Sequence, residues 1–234
     1  MSRILCDDEL AFLRTIHADP ADDLPRLVFA DWLEETGDPM LAVRAQLIRS
    51  QILAAGGNHP DRERAITFSD SILQAHMIEW WKELPQIDGV VWGWFKRGFP
   101  EHAIVTKEAY LRDYDAIFGV LPITSVRVGG ILLEEFEELL GRGVPTNLRK
   151  LSIGNSRRVP YFGHIDIETG RLEYRVIPFG PVDENRSLRA VRRMISTDLQ
   201  RRLTDLTLDD LRHYPSEVRE LLYEHFPPHV LSRD

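Results

Sequence analysis

Three short apolar segments recur at nearly constant spacing in the middle of the chain. They are Ala103-Ile104-Val105, Val126-Arg127-Val128 and Leu151-Ser152-Ile153, and Ile104, Val128 and Ile153 lie 24 and 25 residues apart. The stretch between the first two carries Leu111, Tyr114 and Phe118 at helical spacing. The stretch between the last two, Leu133 to Leu140, is helical in pattern as well. A strand that recurs after each helix cannot pair antiparallel through a tight turn. It must cross over and pair in parallel, so the spacing predicts adjacent parallel strands joined by helices.

Units of this length fall in the leucine-rich-repeat range. The run Leu148-Arg149-Lys150-Leu151-Ser152-Ile153-Gly154-Asn155 resembles the Leu-x-x-Leu-x-Leu-x-x-Asn line, with Ile153 in a Leu slot and Asn155 one position early. Only two or three degenerate units are present, which predicts a short repeat-like layer instead of a full solenoid. An aromatic, β-prone stretch from Val90 to Phe99 leads into the first unit. Two alternating segments around Thr169-Gly170 read as a hairpin behind the last unit. From about Glu184 the pattern returns to helix, with Leu188, Val191, Ile195 and Leu199 on one stripe. A shorter helix is expected near Leu208–Tyr214 and another over Ser216–Phe226, stopped by Pro227-Pro228.

The first 55 residues are punctuated as three helices. Asp7 is placed to cap the first, which Asp19-Pro20 ends. Pro25 sits in the first turn of the second, which runs to about Glu35 and meets Gly37 at its C-terminal end. Asp38-Pro39 opens the third, striped by Leu41, Ala45, Ile48 and Ile52, and Gly56-Gly57 breaks the chain after it. A fourth helix is expected from Asp61 to Glu83. Within this region the run Arg26-Leu27-Val28-Phe29-Ala30-Asp31-Trp32-Leu33-Glu34-Glu35-Thr36-Gly37-Asp38-Pro39 resembles the bacterial repeat-companion domain, over roughly residues 8–55. Asp22-Asp23 before it and Arg44-Ala45-Gln46-Leu47-Ile48-Arg49 after it extend the likeness. Phe29 stands where that family usually has Tyr, and the stretch from Gly37 to Arg44 is a few residues longer. The resemblance implies a small helical module found beside repeats, and it implies no activity. Arg26, Asp31, Trp32 and Glu35 are its signature residues here and are expected to be structural, with Trp32 largely buried and Asp31 tied to an arginine.

The resulting expectation is an α+β chain. A helical companion module (1–57) packs on a helix, a short leucine-rich-repeat-like β/α layer and a hairpin (58–180), followed by C-terminal helices (181–234). Cys6 is the single cysteine, so an internal disulfide and a Cys-rich metal site are excluded. No apolar run reaches the length of a membrane helix, and the N-terminus turns acidic at once, so the expected location is the cytoplasm. With 29 basic against 37 acidic residues the formal charge is −8, which argues against a surface built wholly for nucleic acid.

Chemistry-bearing clusters are few. Asp31, Glu34 and Glu35, with Asp22 and Asp23 nearby, offer carboxylate oxygens to a hard cation, which would suit a metal-dependent hydrolase. The plain alternative is that they pair with Arg26, Arg44 or Arg49 and fix the helices. Arg186, Arg189, Arg192 and Arg193, with Arg201-Arg202 beyond, suggest an RNA or phosphate face. Interleaved acids and the general use of Arg here, with only four Lys among the basic residues, favour a solvated face. His225 and His229 have a zinc-like spacing, but Pro227-Pro228 between them rules out one helix carrying both. Gly141-Arg142-Gly143 follows a helix and lacks the third glycine of a dinucleotide loop. No nucleophile motif, cofactor loop or ligand set is present, so no cofactor and no metal site are assigned. The densest aromatic region remains, with Trp92 and Trp94 expected on one strand face. The sequence therefore reads as a non-catalytic protein-protein interaction module or adaptor, with Trp92, Trp94 and Phe99 as candidate anchors for an unidentified protein partner.

Overall fold

Four helices fill the first 83 residues because the chain supplies both their apolar stripes and their stops. A computed structural model of the chain describes residues 6–154, 159–165, 172–175, 182–209 and 211–232. The helices are α1 (Asp7–Ala18), α2 (Leu24–Glu35), α3 (Pro39–Ala55) and α4 (Arg62–Glu83). Asp38 caps α3 by accepting the Met40 amide at 2.8 Å, and Gly37 takes φ +74° in the turn before it. Asp7 begins α1 as a helical residue instead of capping it, and Cys6 holds the cap position without a side-chain bond. Leu13, Ile16, Phe29, Ala30, Leu33, Ala45 and Ile48 form one core from three helices, and Phe99 joins it from far along the chain. Each such large apolar side chain contributes about 1.5–3 kcal/mol when fully buried.

After α4 come β1 (Val90–Trp92) and a tight antiparallel hairpin of β2 (Phe95–Lys96) and β3 (Phe99–Pro100). The hairpin turns at Arg97-Gly98, both with positive φ (+49° and +85°), as a two-residue turn that matches strand twist requires. The repeating part follows: β4 (His102–Thr106), α5 (Lys107–Arg112), α6 (Tyr114–Phe118), β5 (Ser125–Gly129), a 3-10 turn (Leu133–Glu135), α7 (Phe136–Arg142) and β6 (Lys150–Gly154). Then β7 (Val159–Ile165) pairs antiparallel with β8 (Leu172–Arg175). The expected turn at Thr169-Gly170 lies outside the described residues, as does Asn155. The chain closes with α8 (Glu184–Ser196), α9 (Leu199–Arg202), β9 (Asp205–Leu208), a 3-10 turn (Leu211–His213), α10 (Ser216–His225) and β10 (Leu231–Ser232).

The protein is thus mixed α/β, with a main sheet in the order β1-β4-β5-β6-β9-β10. From β4 to β10 every neighbouring pair in that order runs parallel. The period is real, with a one-residue correction. Val128 pairs with Ile153, but Val128 also pairs with Val105, and Ile104 sits opposite Arg127. Because side chains alternate, that shift puts Ile104 on the other face from Val128 and Ile153. Two further strands were missed. The segment near Leu208 is the end of strand β9 followed by a 3-10 turn, not a helix, and β10 follows Pro227-Pro228. The C-terminal segment therefore continues the parallel sheet instead of forming a purely helical end.

Alternation sorts the sheet into two faces. Ala103, Val105, Val126, Val128, Leu151, Ile153, Leu206 and Leu208 are buried, and the residues between them, Ile104, Arg127, Ser152 and Thr207, are half-buried. The helices pack in strand order, α5 on α7, α7 on α8 and α8 on α10, which assigns the buried face to the helix side. By internal contacts the chain divides into two compact units. One comprises Met1–Gln86, Trp92–Glu101 and Asp115–Ile123, and the other Ile87–Val91, His102–Tyr114 and Thr124–Asp234. The expected boundary at 57 falls inside the first unit, because α4 packs on α3, and the C-terminal segment stays in the unit of the sheet, because β9 pairs with β6.

Candidate binding surface

The aromatic stretch separates its residues by burial. Trp92 is 7% exposed, and its indole N–H donates to the Pro85 carbonyl at 2.9 Å. Phe99 is fully buried at 0%. Neither presents a surface, which corrects their assignment as partner anchors. Trp92 and Trp94 part because β1 ends at Trp92, Gly93 follows outside the strand, and alternation does not carry on to Trp94; Phe99 is buried because it enters the core of the N-terminal helices. Trp94 is 68% exposed. It leans on Trp81, ring centres 5.9 Å apart at 53°, while the Trp81 indole N–H donates to the Gly93 carbonyl at 3.4 Å. One helical turn before Trp81, Ile78 is 46% exposed. Trp94 and Trp81 thus form an apolar pair at the surface, and exposed Ile78 lies on α4 one turn from Trp81. The candidate anchors read from the sequence include Trp94 and leave out Trp81 and Ile78, whose i, i+3 spacing on α4 is the available signal.

Three of the four residues read as the signature, Arg26, Asp31 and Trp32, have structural partners. Asp31 and Glu34 both accept from the Arg49 guanidinium, Asp31 at 2.7 Å, and this pairing raises the Arg49 pKa. Two of the three carboxylates proposed for a metal are therefore turned onto one cation, and Glu35 is exposed. Among the described residues, no group of three or more His, Cys, Asp or Glu side chains is arranged to hold a metal ion. Trp32 is half-buried, stacked on Phe29 (5.9 Å, 13°) and tilted against Phe12 at 5.6 Å. Arg26 is wholly buried, with Nη2 3.0 Å from Glu101 Oε1. Burial pushes the Arg26 pKa down to about 10 while Glu101 pulls it back up, so the guanidinium stays charged at neutral pH.

The polar sheet face is the second arrangement. His102 Nδ1 lies 2.9 Å from Ser125 Oγ on the next strand, and Arg127 donates to Asp209 at 2.7 Å. Lys150 and Asp205 approach to 3.7 Å one strand further on. Burial, and then the charge of Arg127, lowers the His102 pKa. A serine beside a histidine invites a nucleophilic reading, but no carboxylate among the described residues is hydrogen-bonded to His102 to orient it. Its charged neighbour is a cation, which opposes the imidazolium a general base must form. On α8, Arg186, Arg189, Arg192 and Arg193 are exposed, and Glu137 stands 3.8 Å from Arg189 and 4.0 Å from Arg193. The arginine helix is thus partly neutralised by the helix beside it. His225 bonds the Leu221 carbonyl in its own helix through Nδ1 at 3.1 Å.

In comparisons with known proteins, no family model, no curated protein and no solved structure matches this chain.

Proposed function

We propose that this protein is a non-catalytic interaction module of the bacterial cytoplasm, which holds a protein partner through Trp94, Trp81 and Ile78. The observation that carries this reading is Trp94 itself, a large ring 68% exposed and already seated on a second tryptophan. An indole held in place before binding loses little conformational freedom when a partner covers it, and tryptophan is the residue most enriched among interface hot spots. The likeness of residues 8–55 to repeat-companion modules supports the same class, as does a leucine-rich-repeat-like reading of the parallel layer. A metal-dependent hydrolase built on Asp31, Glu34 and Glu35 is disfavoured because Arg49 engages the first two.

The test is affinity capture from the native host, followed by measured binding of whatever partner is retained. Trp94→Ala is expected to keep the fold and to weaken capture by about 2 kcal/mol or more, some thirtyfold. Equal capture by both proteins, or a turnover that vanishes when Asp31 or Glu35 is neutralised without loss of fold, would overturn the reading.

A further inference from the structure

The hairpin around Arg97-Gly98 sits in the helical unit as a bound peptide sits in a receptor. Its Phe99 ring fills a hole whose walls are Phe29, at 5.8 Å and 30°, and the guanidinium groups of Arg26 and Arg44, at 5.3 and 5.6 Å from the ring centre. Two cations against one buried ring make the hole selective for an aromatic over an aliphatic side chain. Gln51 reads the hairpin backbone twice: its Nε2 donates to the Phe95 carbonyl and its Oε1 accepts the Gly98 amide, each at 2.9 Å. Arg26 donates to the Arg97 carbonyl at 3.2 Å and to the Glu101 carboxylate at 3.0 Å. Asp23 accepts from the Arg97 guanidinium at 3.1 Å, and Arg97 in turn clasps Glu101 at 2.7 Å. Side chains from α2, its N-cap and α3 thus supply an aromatic hole, an amide-reading glutamine, a carboxylate-binding arginine and a guanidinium-binding aspartate. All of it engages residues more than forty positions downstream.

We propose that helices α2 and α3 form a receptor for an Arg-Gly-Phe-x-Glu hairpin, which residues 97–101 of this chain fill in cis and which accepts the same hairpin in trans. The wild-type site is occupied at the high effective concentration of a tethered ligand. Trans binding therefore becomes measurable only when the tethered copy is weakened. Gly98 provides the means. Its φ of +85° disfavours any side chain, and a Cβ there would run into Ile48. Gly98→Val weakens the seating of the tethered hairpin and leaves the identity of Asp23, Arg26, Arg44 and Gln51 unchanged.

The probe is a synthetic, backbone-cyclised peptide spanning Phe95 to Glu101, titrated into full-length Gly98→Val and into wild type. Binding is read by anisotropy of a labelled peptide and by melting temperature. The variant is expected to bind the peptide at least about tenfold more tightly than wild type, and to gain about 3 °C in melting temperature at saturation. A peptide with Ala in place of Phe99 should bind neither protein. Binding to neither protein by the parent peptide, or equal binding to both, would overturn the proposal. If Gly98→Val does not fold, Phe99→Leu keeps an apolar side chain in the hole and weakens the tethered hairpin. The labelled parent peptide must then bind that variant and not wild type, and its failure to do so overturns the proposal equally.

Discussion

Phe99→Ala should be among the most damaging substitutions available in this protein. The ring is wholly buried in the core formed by Leu13, Ile16, Phe29, Ala30, Leu33, Ala45 and Ile48. Loss of a buried phenylalanine costs about 3–5 kcal/mol through lost transfer energy and the cavity left behind. Two further losses point the same way. Arg26 and Arg44 lose the ring face over which they stack, at about 1 kcal/mol each for partly desolvated cations. These terms share atoms and do not simply add, so the expected total is about 5 kcal/mol. Against a domain stability of about 5–15 kcal/mol, that removes a third or more of the margin. The assay is urea unfolding at neutral pH, followed by tryptophan fluorescence, because Trp32 stacks on Phe29 beside the cavity and reports on the same unit. Phe99→Leu fills most of the hole and should recover more than half of the loss. A Phe99→Ala protein within about 1 kcal/mol of wild type would refute the argument, since no buried ring of this kind is removed so cheaply.

Two further outcomes follow from the same packing and electrostatics. Trp32→Ala removes a half-buried ring stacked on Phe29 and tilted on Phe12, and should cost about 2–3 kcal/mol in the same unfolding assay. Unchanged stability would show that Trp32 is not part of the helical packing. His102 titrates below the ordinary imidazole value of 6.5 in the fold, chiefly through burial and then through Arg127. Below 6.5 the unfolded chain therefore binds more protons at this site than the folded one, so the contribution of His102 to stability falls as pH drops through that range and is flat above it. His102→Asn should remove that component from the pH dependence of the urea midpoint, and an unaltered dependence would refute the assignment.

Local rules were legible in the sequence wherever one residue decides the outcome. Proline and glycine punctuation placed the first three N-terminal helices, because a missing N–H or a required positive φ acts regardless of tertiary context. The parallel run of β4, β5 and β6 was legible because three apolar segments recur at nearly constant spacing with helical stretches between them. The register was not: Ile104, Val105, Val126 and Val128 are all apolar, so composition could not say which pair shares a face, and only pairing with Arg127 settles it. Strands β9 and β10 escaped notice because Asp205–Leu208 and Leu231–Ser232 are too short to show a period of their own. They are strands because β6 offers a parallel edge to the first, and the first to the second. The proposed partner surface was legible in part. Exposed Trp94 and buried Phe99 differ in burial because Phe99 enters a core formed more than forty residues earlier, a contact no local pattern encodes. The same long-range contact explains why Arg26, read as a signature residue, spends its charge on Glu101 at 3.0 Å.

The most direct test of the interaction reading is the dissociation constant of the captured partner for wild type and for Trp94→Ala, measured side by side with the thermal unfolding of both proteins. Trp94 is 68% exposed and its ring lies against Trp81, so its removal should leave the melting temperature within about 2 °C. The account predicts that unchanged melting is accompanied by binding weakened about thirtyfold or more. Unchanged melting with unchanged binding would contradict it, and the exposed tryptophan patch would then not be the surface through which this protein works.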